Sequence, residues 1–292
     1  MKQAIEKAAV LIEALPYIQA FRDATVVVKL GGSVMEQTEA LDRLLTDVVF
    51  MECVGMRVIL VHGGGKAITR GMAQAGIAAR FEQGLRVTCA QTITVVEQVL
   101  KQEVNPLVVD LLVSRGARAQ ALHGDGLFRV QRKTGQDPQT GAPVDWGFVG
   151  DILDVSTEAV TARIRANVIP VVTPLGRGED GQLYNLNADT AAAALARALR
   201  ARKLAFISDV PGLLRDPQNP ATLIGSVRLS DIPVLRAEGV LGGGMLPKIE
   251  SCAEAIRAGV GKVHLVDGRM PHSLLLEIFT RSGVGTEITA DE

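Results

Sequence analysis

Short β-rich runs alternate with helical runs along nearly the whole chain, and this alternation limits the possible folds more than any other feature. Residues 25–30, 57–61, 117–122, 168–173, 204–208, 262–266 and 286–289 read as strands. Between them, helical spacing of apolar residues covers 39–54, 66–75, 90–114, 157–166, 188–203, 230–238, 247–258 and 272–281. A bend is expected in the 90–114 run at Asn105-Pro106, because proline cannot donate the helical hydrogen bond. Strand–helix–strand units of this kind build a mainly parallel sheet with helices on both faces. Aromatic residues make up only 3% of the chain against 47% hydrophobic, so Val, Ile, Leu and Ala must fill the core, as such sheets require. From 127 to 155 the pattern changes to β-rich pieces separated by Gly, Pro and Asp, which reads as β-hairpin.

A chain of 292 residues suits one large α/β domain or two lobes. The seam is expected near 176–181, with both lobes sharing one sheet. Formal net charge is −1 with no basic stripe, which argues against a nucleic-acid partner. Cys53, Cys89 and Cys252 lie far apart, as expected in a reducing cytosol, and indicate neither a disulfide framework nor a zinc site. No apolar run approaches the ~20 residues of a membrane span. Charged residues interrupt residues 1–24, so this segment does not read as a secretory signal. Its apolar residues Ile5, Ala8, Ala9, Ile12 and Leu15 follow helical spacing, and Pro16 should break or kink that helix. The stripe packs either in a subunit interface or on the chain's own body.

Three glycine clusters stand out: Gly31-Gly32, Gly63-Gly64-Gly65 and Gly242-Gly243-Gly244. The first two follow predicted strands, where ligands of open α/β sheets bind. Glycine there lets backbone N–H groups approach anionic oxygens, although any one such cluster is also an ordinary tight turn. The phosphate-binding GxxxxGK[ST], the dinucleotide GxGxxG and the protein-kinase signatures are all absent. Lys29 interrupts the apolar strand Val26-Val27-Val28 just before Gly31, and a lysine in a buried strand needs an anion. Lys248 falls at the start of a predicted helix, where its charge opposes the helix dipole and therefore points to a ligand. Asp189 opens the helix after Asn185-Leu186-Asn187, a position good for structure in its own right.

In this order and with these separations, Val28-Lys29-Leu30-Gly31-Gly32-Ser33, His62-Gly63-Gly64-Gly65, Gly84-Leu85-Arg86-Val87-Thr88, Asn185-Leu186-Asn187-Ala188-Asp189 and Gly243-Gly244-Met245-Leu246-Pro247-Lys248 resemble the acetylglutamate kinases of the amino acid kinase family. The resemblance runs from about residue 25 to the C-terminus. It implies an open three-layer αβα sandwich in which residues 25–175 bind N-acetyl-L-glutamate and residues 176–292 bind ATP with Mg²⁺. The implied reaction is transfer of the γ-phosphoryl group of ATP to the γ-carboxylate, in the cytoplasm. Lys29 and Lys248 would stabilise the moving phosphoryl group and Asp189 would orient them. The backbone of Gly31 and Gly32, and of Gly64 and Gly65, would grip phosphoryl oxygens and substrate. Arg86 would pair with a substrate carboxylate and Asn185 would lie near the α-carboxylate. Ser208, Asp209, Gly212, Leu213, Gly242 and Met245 would run along the nucleotide. No protein ligand to a metal is implied. The acceptor is already ionised near neutrality, so this chemistry requires charge neutralisation and no general base.

The segment Ile12-Glu13-Ala14-Leu15-Pro16-Tyr17-Ile18 resembles the N-terminal helix of arginine-inhibited members, which interlaces homodimers into a hexameric trimer of dimers. On that resemblance, residues 1–24 form an oligomerisation helix, and Tyr17, Lys203, His264, Glu277 and Gly283 bind L-arginine as inhibitor. His264 reads equally well as a core histidine. A P-II signalling protein is a partner in some lineages, and nothing in this sequence decides it. The Thr134–Trp146 loop is longer and richer in turns than the resemblance leads one to expect, so lid behaviour is expected to differ. The rival readings are a sibling kinase acting on another carboxylate and a non-catalytic arginine sensor. Gly84-Leu85-Arg86-Val87-Thr88 favours acetylglutamate over the first, and the presence of both lysines argues against the second.

Overall fold

The computed structural model of the chain describes residues 2–136, 140–242, 245–280 and 283–291. The glycines Gly243 and Gly244, the loop residues Asp137 and Pro138, and Arg281 lie outside the described residues. In chain order the elements are α1 (Lys2–Phe21), β1 (Thr25–Leu30), α2 (Gly32–Met35), α3 (Thr38–Cys53), β2 (Arg57–His62) and α4 (Gly65–Gln74). A small hairpin, β3 (Phe81–Glu82) and β4 (Leu85–Arg86), precedes α5 (Ala90–Gln98), a π-helical segment (Val99–Val104), α6 (Asn105–Ser114) and β5 (Ala119–Leu122). Then come β6 (Phe128–Gln136), β7 (Pro143–Val155), α7 (Glu158–Arg165), β8 (Ile169–Val172), β9 (Leu175–Gly178), β10 (Leu183–Asn185) and α8 (Ala188–Ala198). The chain continues through β11 (Lys203–Ser208), β12 (Ser226–Arg228), α9 (Ile232–Ala237), α10 (Met245–Arg257), β13 (Lys262–Asp267), α11 (Ser273–Phe279) and β14 (Thr286–Thr289).

Eight strands form one sheet in the order β12-β14-β13-β11-β1-β2-β8-β5. Every pairing in it is parallel except β13 with β14. Strand β1 has β2 on one side and β11 on the other, so the chain changes direction of winding beside it, and the carboxyl edge of β1 is a topological switch point. Alternation of side chains divides the core. Val27, Ile59, Val61, Leu204 and Phe206 face α7, α8 and α10, while Val26, Val28, Leu30, Leu60 and Ile207 face α3, α6 and α11. The expected α/β architecture, a mainly parallel sheet between two helical layers, is therefore the observed one. The β-rich region closes on itself as a four-stranded barrel, β10-β7-β6-β9, rather than remaining a simple hairpin. The second hairpin supplies β9 and β10 as its remaining walls.

The structure refines several local expectations. Helix α1 runs through Pro16 without a break. The carbonyl that proline leaves unpaired belongs to Ile12, which is 67% exposed, so water can replace the lost bond. Helix α8 ends at Ala198, and Lys203 opens β11 instead of closing the helix. Arg200 adopts a left-handed φ of 47°, which stops the Ala/Arg-rich run, and Lys203 then pairs with Val26. The irregularity expected at Asn105-Pro106 lies one turn earlier, as the π-helical segment. Finally, the apolar stripe of α1 does not pack on the chain's own body, since Ile5, Ile12 and Leu15 are 63%, 67% and 43% exposed. Among the described side chains of α1, docking is seen at its end, with Phe21 edge-on to Phe279 at 6.3 Å and beneath Arg202 at 4.6 Å.

Candidate active site

The pleat of β1 places Lys29 on the same face as Val27, toward α8, at the carboxyl end of the strand. Helix α8 begins there because the Asn187 side chain accepts the N–H groups of Asp189 (2.8 Å) and Thr190 (3.1 Å), a standard N-cap. This cap sets Asp189 in the first turn, facing both lysines. Lys29 Nζ lies 2.7 Å from Asp189 Oδ1, and Lys248 Nζ, from the first turn of α10, lies 3.1 Å from Oδ2. Burial pushes the Asp189 carboxyl up, but the two ammonium groups outweigh it and hold the group below the usual carboxylate range. One carboxylate between two ammonium groups leaves a net positive charge in a cleft where the lysine side chains are only 11% and 18% exposed. Such an arrangement attracts anions and holds its cations still.

The first cavity of the cleft, about 400 Å³, is lined by Lys29, Gly32, Gly64, Gly65, Arg86 and Asn185 among others. Gly64 is the N-cap of α4 and has no side chain to occupy the helix N–H groups, which stay available to an anion. The two glycines of the first loop differ in what they offer. Gly31 donates its N–H to the Ile207 carbonyl at 2.9 Å, and a Cβ there would sit 2.5 Å from that oxygen, so its contribution is close approach of β1 to β11. Gly32 lines the cavity, and its would-be Cβ lies 3.7 Å from the Gly65 nitrogen, which puts the two loops side by side.

Arg86 is 7% exposed. Its Nη2 donates to the Gly65 carbonyl at 2.8 Å and to Thr69 Oγ1 at 2.9 Å, and its guanidinium lies 4.7 Å from the centre of the Phe81 ring. No carboxylate pairs with it among the described residues. Burial lowers its pKa, yet a guanidinium stays charged, so it is a buried cation beside a cavity without a counter-ion. Asn185, at the end of β10, faces the same space, 3.5 Å from Thr88 Oγ1.

A second cavity of about 510 Å³ shares Gly84, Leu85, Asn187 and Asp189 with the first and is lined also by Lys248. Its far wall contains Lys133, ion-paired with Asp151 at 2.7 Å, and Trp146. Trp146 donates Nε1–H to the Glu82 carbonyl at 2.9 Å and thereby ties the β6–β7 hairpin to the short hairpin that carries Arg86. Neither Lys133 nor Trp146 stood out in the sequence; a lone Lys and a lone Trp in a polar hairpin carry no spacing signal.

Of the residues expected along the nucleotide, Ser208, Asp209, Gly212, Leu213, Gly242 and Met245, none lines either cavity. Ser208 ends β11 with its Oγ buried and without a protein partner. Leu213 is buried and donates its N–H to Thr286 Oγ1 at 2.8 Å, and Gly212 has a φ of 138° and is packed against the same threonine. Gly242 is exposed, and Met245 opens α10. Among the described residues no cluster of three or more His, Cys, Asp or Glu side chains is placed to hold a metal ion.

A separate cavity of about 460 Å³ lies between α1 and the end of the sheet, lined by Tyr17, Lys203, Glu277 and Gly283. His264 stands behind it, 1% exposed, with Nε2 2.9 Å from Lys203 Nζ and Nδ1 2.7 Å from Glu277 Oε1. The other Glu277 oxygen accepts the N–H groups of Val284 and Gly285. The five residues singled out in the sequence thus form one polar cluster, although they come from α1, β11, β13, α11 and the loop before β14. Burial lowers the Lys203 pKa to about 8.

The sequence profile described as the amino acid kinase family matches residues 24–267. Curated relatives include the acetylglutamate kinases of Akkermansia muciniphila, 45% identical over 99% of this chain and 97% of that protein, and of Heliobacterium modesticaldum, 45% identical over 99% of each. Among solved structures, N-acetylglutamate synthase from Neisseria gonorrhoeae is 27% identical. Complexed with coenzyme A and N-acetyl-glutamate, it superposes with a TM-score of 0.83 over 98% of this chain and 64% of its own. Complexed with coenzyme A and L-arginine, it gives a TM-score of 0.78 over 97% of this chain and 65% of its own. The chain belongs to the amino acid kinase family.

Proposed function

Starting from that membership, we propose that the chain transfers the γ-phosphoryl group of ATP to the γ-carboxylate of N-acetyl-L-glutamate, giving N-acetyl-L-glutamyl 5-phosphate for arginine biosynthesis in the cytoplasm. The observation that carries this reading is the Lys29–Asp189–Lys248 bridge at the mouth of a cavity lined by glycine loops and an unpaired Arg86. The carboxylate nucleophile needs no deprotonation, so the barrier lies in bringing two anions together and stabilising charge on the moving phosphoryl group. Lys29 and Lys248 approach that charge from two sides, and the free N–H groups at Gly32, Gly64 and Gly65 complete its surroundings. Mg²⁺, carried on the phosphates, would neutralise further charge there. Residues 25–175 contribute the acceptor side and residues 176–292 the nucleotide side, with Ser208, Asp209, Gly212, Leu213, Gly242 and Met245 along the nucleotide.

The test is ATP consumption with N-acetylglutamate, glutamate, aspartate and aminoadipate as acceptors. Turnover only with an unacetylated amino acid would sink the substrate assignment. Arg86 pairs with an acceptor carboxylate in this reading, and lysine cannot reproduce a two-pronged contact. Arg86→Lys is therefore expected to raise KM for acetylglutamate by about 10- to 100-fold, in line with loss of a charge-assisted pair of about 1.5–3 kcal/mol, and to leave KM for ATP nearly unchanged. Equal shifts in both KM values would place Arg86 elsewhere.

The same proposal includes feedback inhibition by L-arginine in the cavity of Tyr17, Lys203, Glu277 and Gly283, backed by His264, and assembly into a hexamer of three homodimers through α1. Its support is the exposed apolar stripe of α1 beside a polar cavity to which the same helix contributes Tyr17. Removing residues 2–17 is expected to reduce the particle from hexamer to dimer by light scattering, to abolish arginine inhibition and to leave turnover near that of the full chain. Full-length protein that ignores millimolar arginine would remove this part of the proposal and leave the kinase in place.

A further inference from the structure

His62 closes β2 immediately before the glycine loop and is completely buried. Burial lowers its pKa to about 4, so the ring is neutral and has one N–H and one acceptor nitrogen. Nδ1 lies 2.8 Å from the Gly63 carbonyl oxygen, which can only accept, so the proton resides on Nδ1. Nε2 must then accept, and it meets Asn105 Nδ2 at 3.0 Å. The second hydrogen of that amide goes to the Val171 carbonyl at 2.9 Å. Flipping the amide would turn Asn105 Oδ1 toward two acceptors, so each donor and acceptor in the chain Val171–Asn105–His62–Gly63 has only one possible role.

Asn105 occupies this place because it follows the π-helical segment Val99–Val104. A π turn holds an extra residue, which rotates everything after it by about 100° relative to an uninterrupted α-helix. The segment also presses on the loop directly. A Cβ at Gly64 would sit 2.5 Å from Leu100 Cδ2, and one at Gly71, in α4, would sit 2.8 Å from Val99 Cγ2. Steric contact and the polar chain therefore reach the glycine loop from one distorted stretch of helix, of which Leu100 also lines the first cavity.

We propose that His62, held in its Nδ1–H form by Asn105, is a positioning residue. It anchors the Gly63 carbonyl away from the cleft and so keeps the N–H groups of Gly64 and Gly65 aimed at the transferring phosphoryl group. This deepens the kinase reading given above and rests on it. His62→Asn keeps a donor at the Nδ1 place, whereas His62→Gln puts its amide on the Nε2 side and leaves Gly63 without a donor. His62→Gln and Asn105→Leu are expected to lower kcat about 10²-fold, the loss that follows a misplacement of about 1 Å at a reacting centre, with little change in either KM. His62→Asn should recover most of that loss. Equal kcat values for the Asn and Gln variants, tracking their melting temperatures, would overturn the positioning role. Because either variant can fail to fold, ring-¹⁵N histidine spectra of the unaltered full chain provide a second test. His62 should show the neutral Nδ1–H tautomer at pH 7, the minor form of free imidazole, and an Nε2–H or protonated ring overturns the proposal. The tautomer is read without substrate, so a chain inactive on acetylglutamate would count against the functional reading and leave this arrangement standing.

Discussion

Lys29→Ala is expected to lower kcat by about 10³-fold, or about 4 kcal/mol of barrier, while KM for ATP and for acetylglutamate moves far less. The split follows from where charge changes during the reaction. In the proposed reaction the free N–H groups of the glycine loops would already surround the phosphates in the ground state, and Mg²⁺ would neutralise charge on them there. As the phosphoryl group leaves one oxygen for another in that reaction, charge would grow on oxygens in front of β1, where the Lys29 ammonium is held by Asp189 at 2.7 Å and is only 11% exposed. An interaction stronger in the transition state than in the ground state appears in kcat. Lys29→Arg should not rescue activity, because a planar, wider fork cannot occupy the position of a compact ammonium between β1 and α8. Melting temperature separates this loss from unfolding, since Asp189 keeps Lys248 as a partner. Wild-type turnover in a folded Lys29→Ala protein would remove Lys29 from the chemistry.

Lys29 was readable in the sequence because a charge interrupts an apolar strand two residues before a glycine pair, and period-two alternation then dictates its face. Asp189 was readable from its own neighbours only as a helix start; its placement between two lysines came with the family resemblance, because it depends on α10 packing beside α8 from residues far along the chain. The π-helical segment left no trace in composition. Residues 90–114 keep a helical apolar pattern throughout, and what distorts the helix is tertiary: Leu100 against Gly64 at the N-cap of α4, Val99 against Gly71 within it, and Asn105 reaching His62. Lys203 was misplaced for the opposite reason. The Ala/Arg-rich run has strong helix propensity, and only the left-handed turn at Arg200 and pairing with β1 override it. The closed barrel was likewise invisible, since closure requires β9 and β10 to meet strands from an earlier hairpin. Local chemistry could be read from spacing, whereas closure and helix register required the neighbours.

Asp189→Asn should separate binding from catalysis in a direction that simple loss of a contact does not produce. The carboxylate presents acceptors to two ammonium groups, at 2.7 Å and 3.1 Å. An amide of the same shape keeps one acceptor and turns an N–H₂ toward the other lysine, so one ammonium is pushed from its place. The cleft also becomes more positive by one unit, which favours the anionic nucleotide. The expected result is a fall in kcat of about 10²- to 10³-fold with KM for ATP unchanged or lower. The pH dependence has a definite sign. The Asp189 pKa is depressed in the folded protein, so its contribution to stability is present above the ordinary carboxylate range and disappears as pH falls through the folded value. The difference in unfolding free energy between the wild type and Asp189→Asn should therefore be full at pH 7 and shrink below about pH 4. Coupling supplies the strictest check. Because Asp189 acts by holding the lysines, its replacement in a Lys29→Ala background should cost much less than in the wild type, whereas independent contributions would multiply. Multiplicative losses in the double variant would mean that Asp189 acts on the reacting atoms by another route.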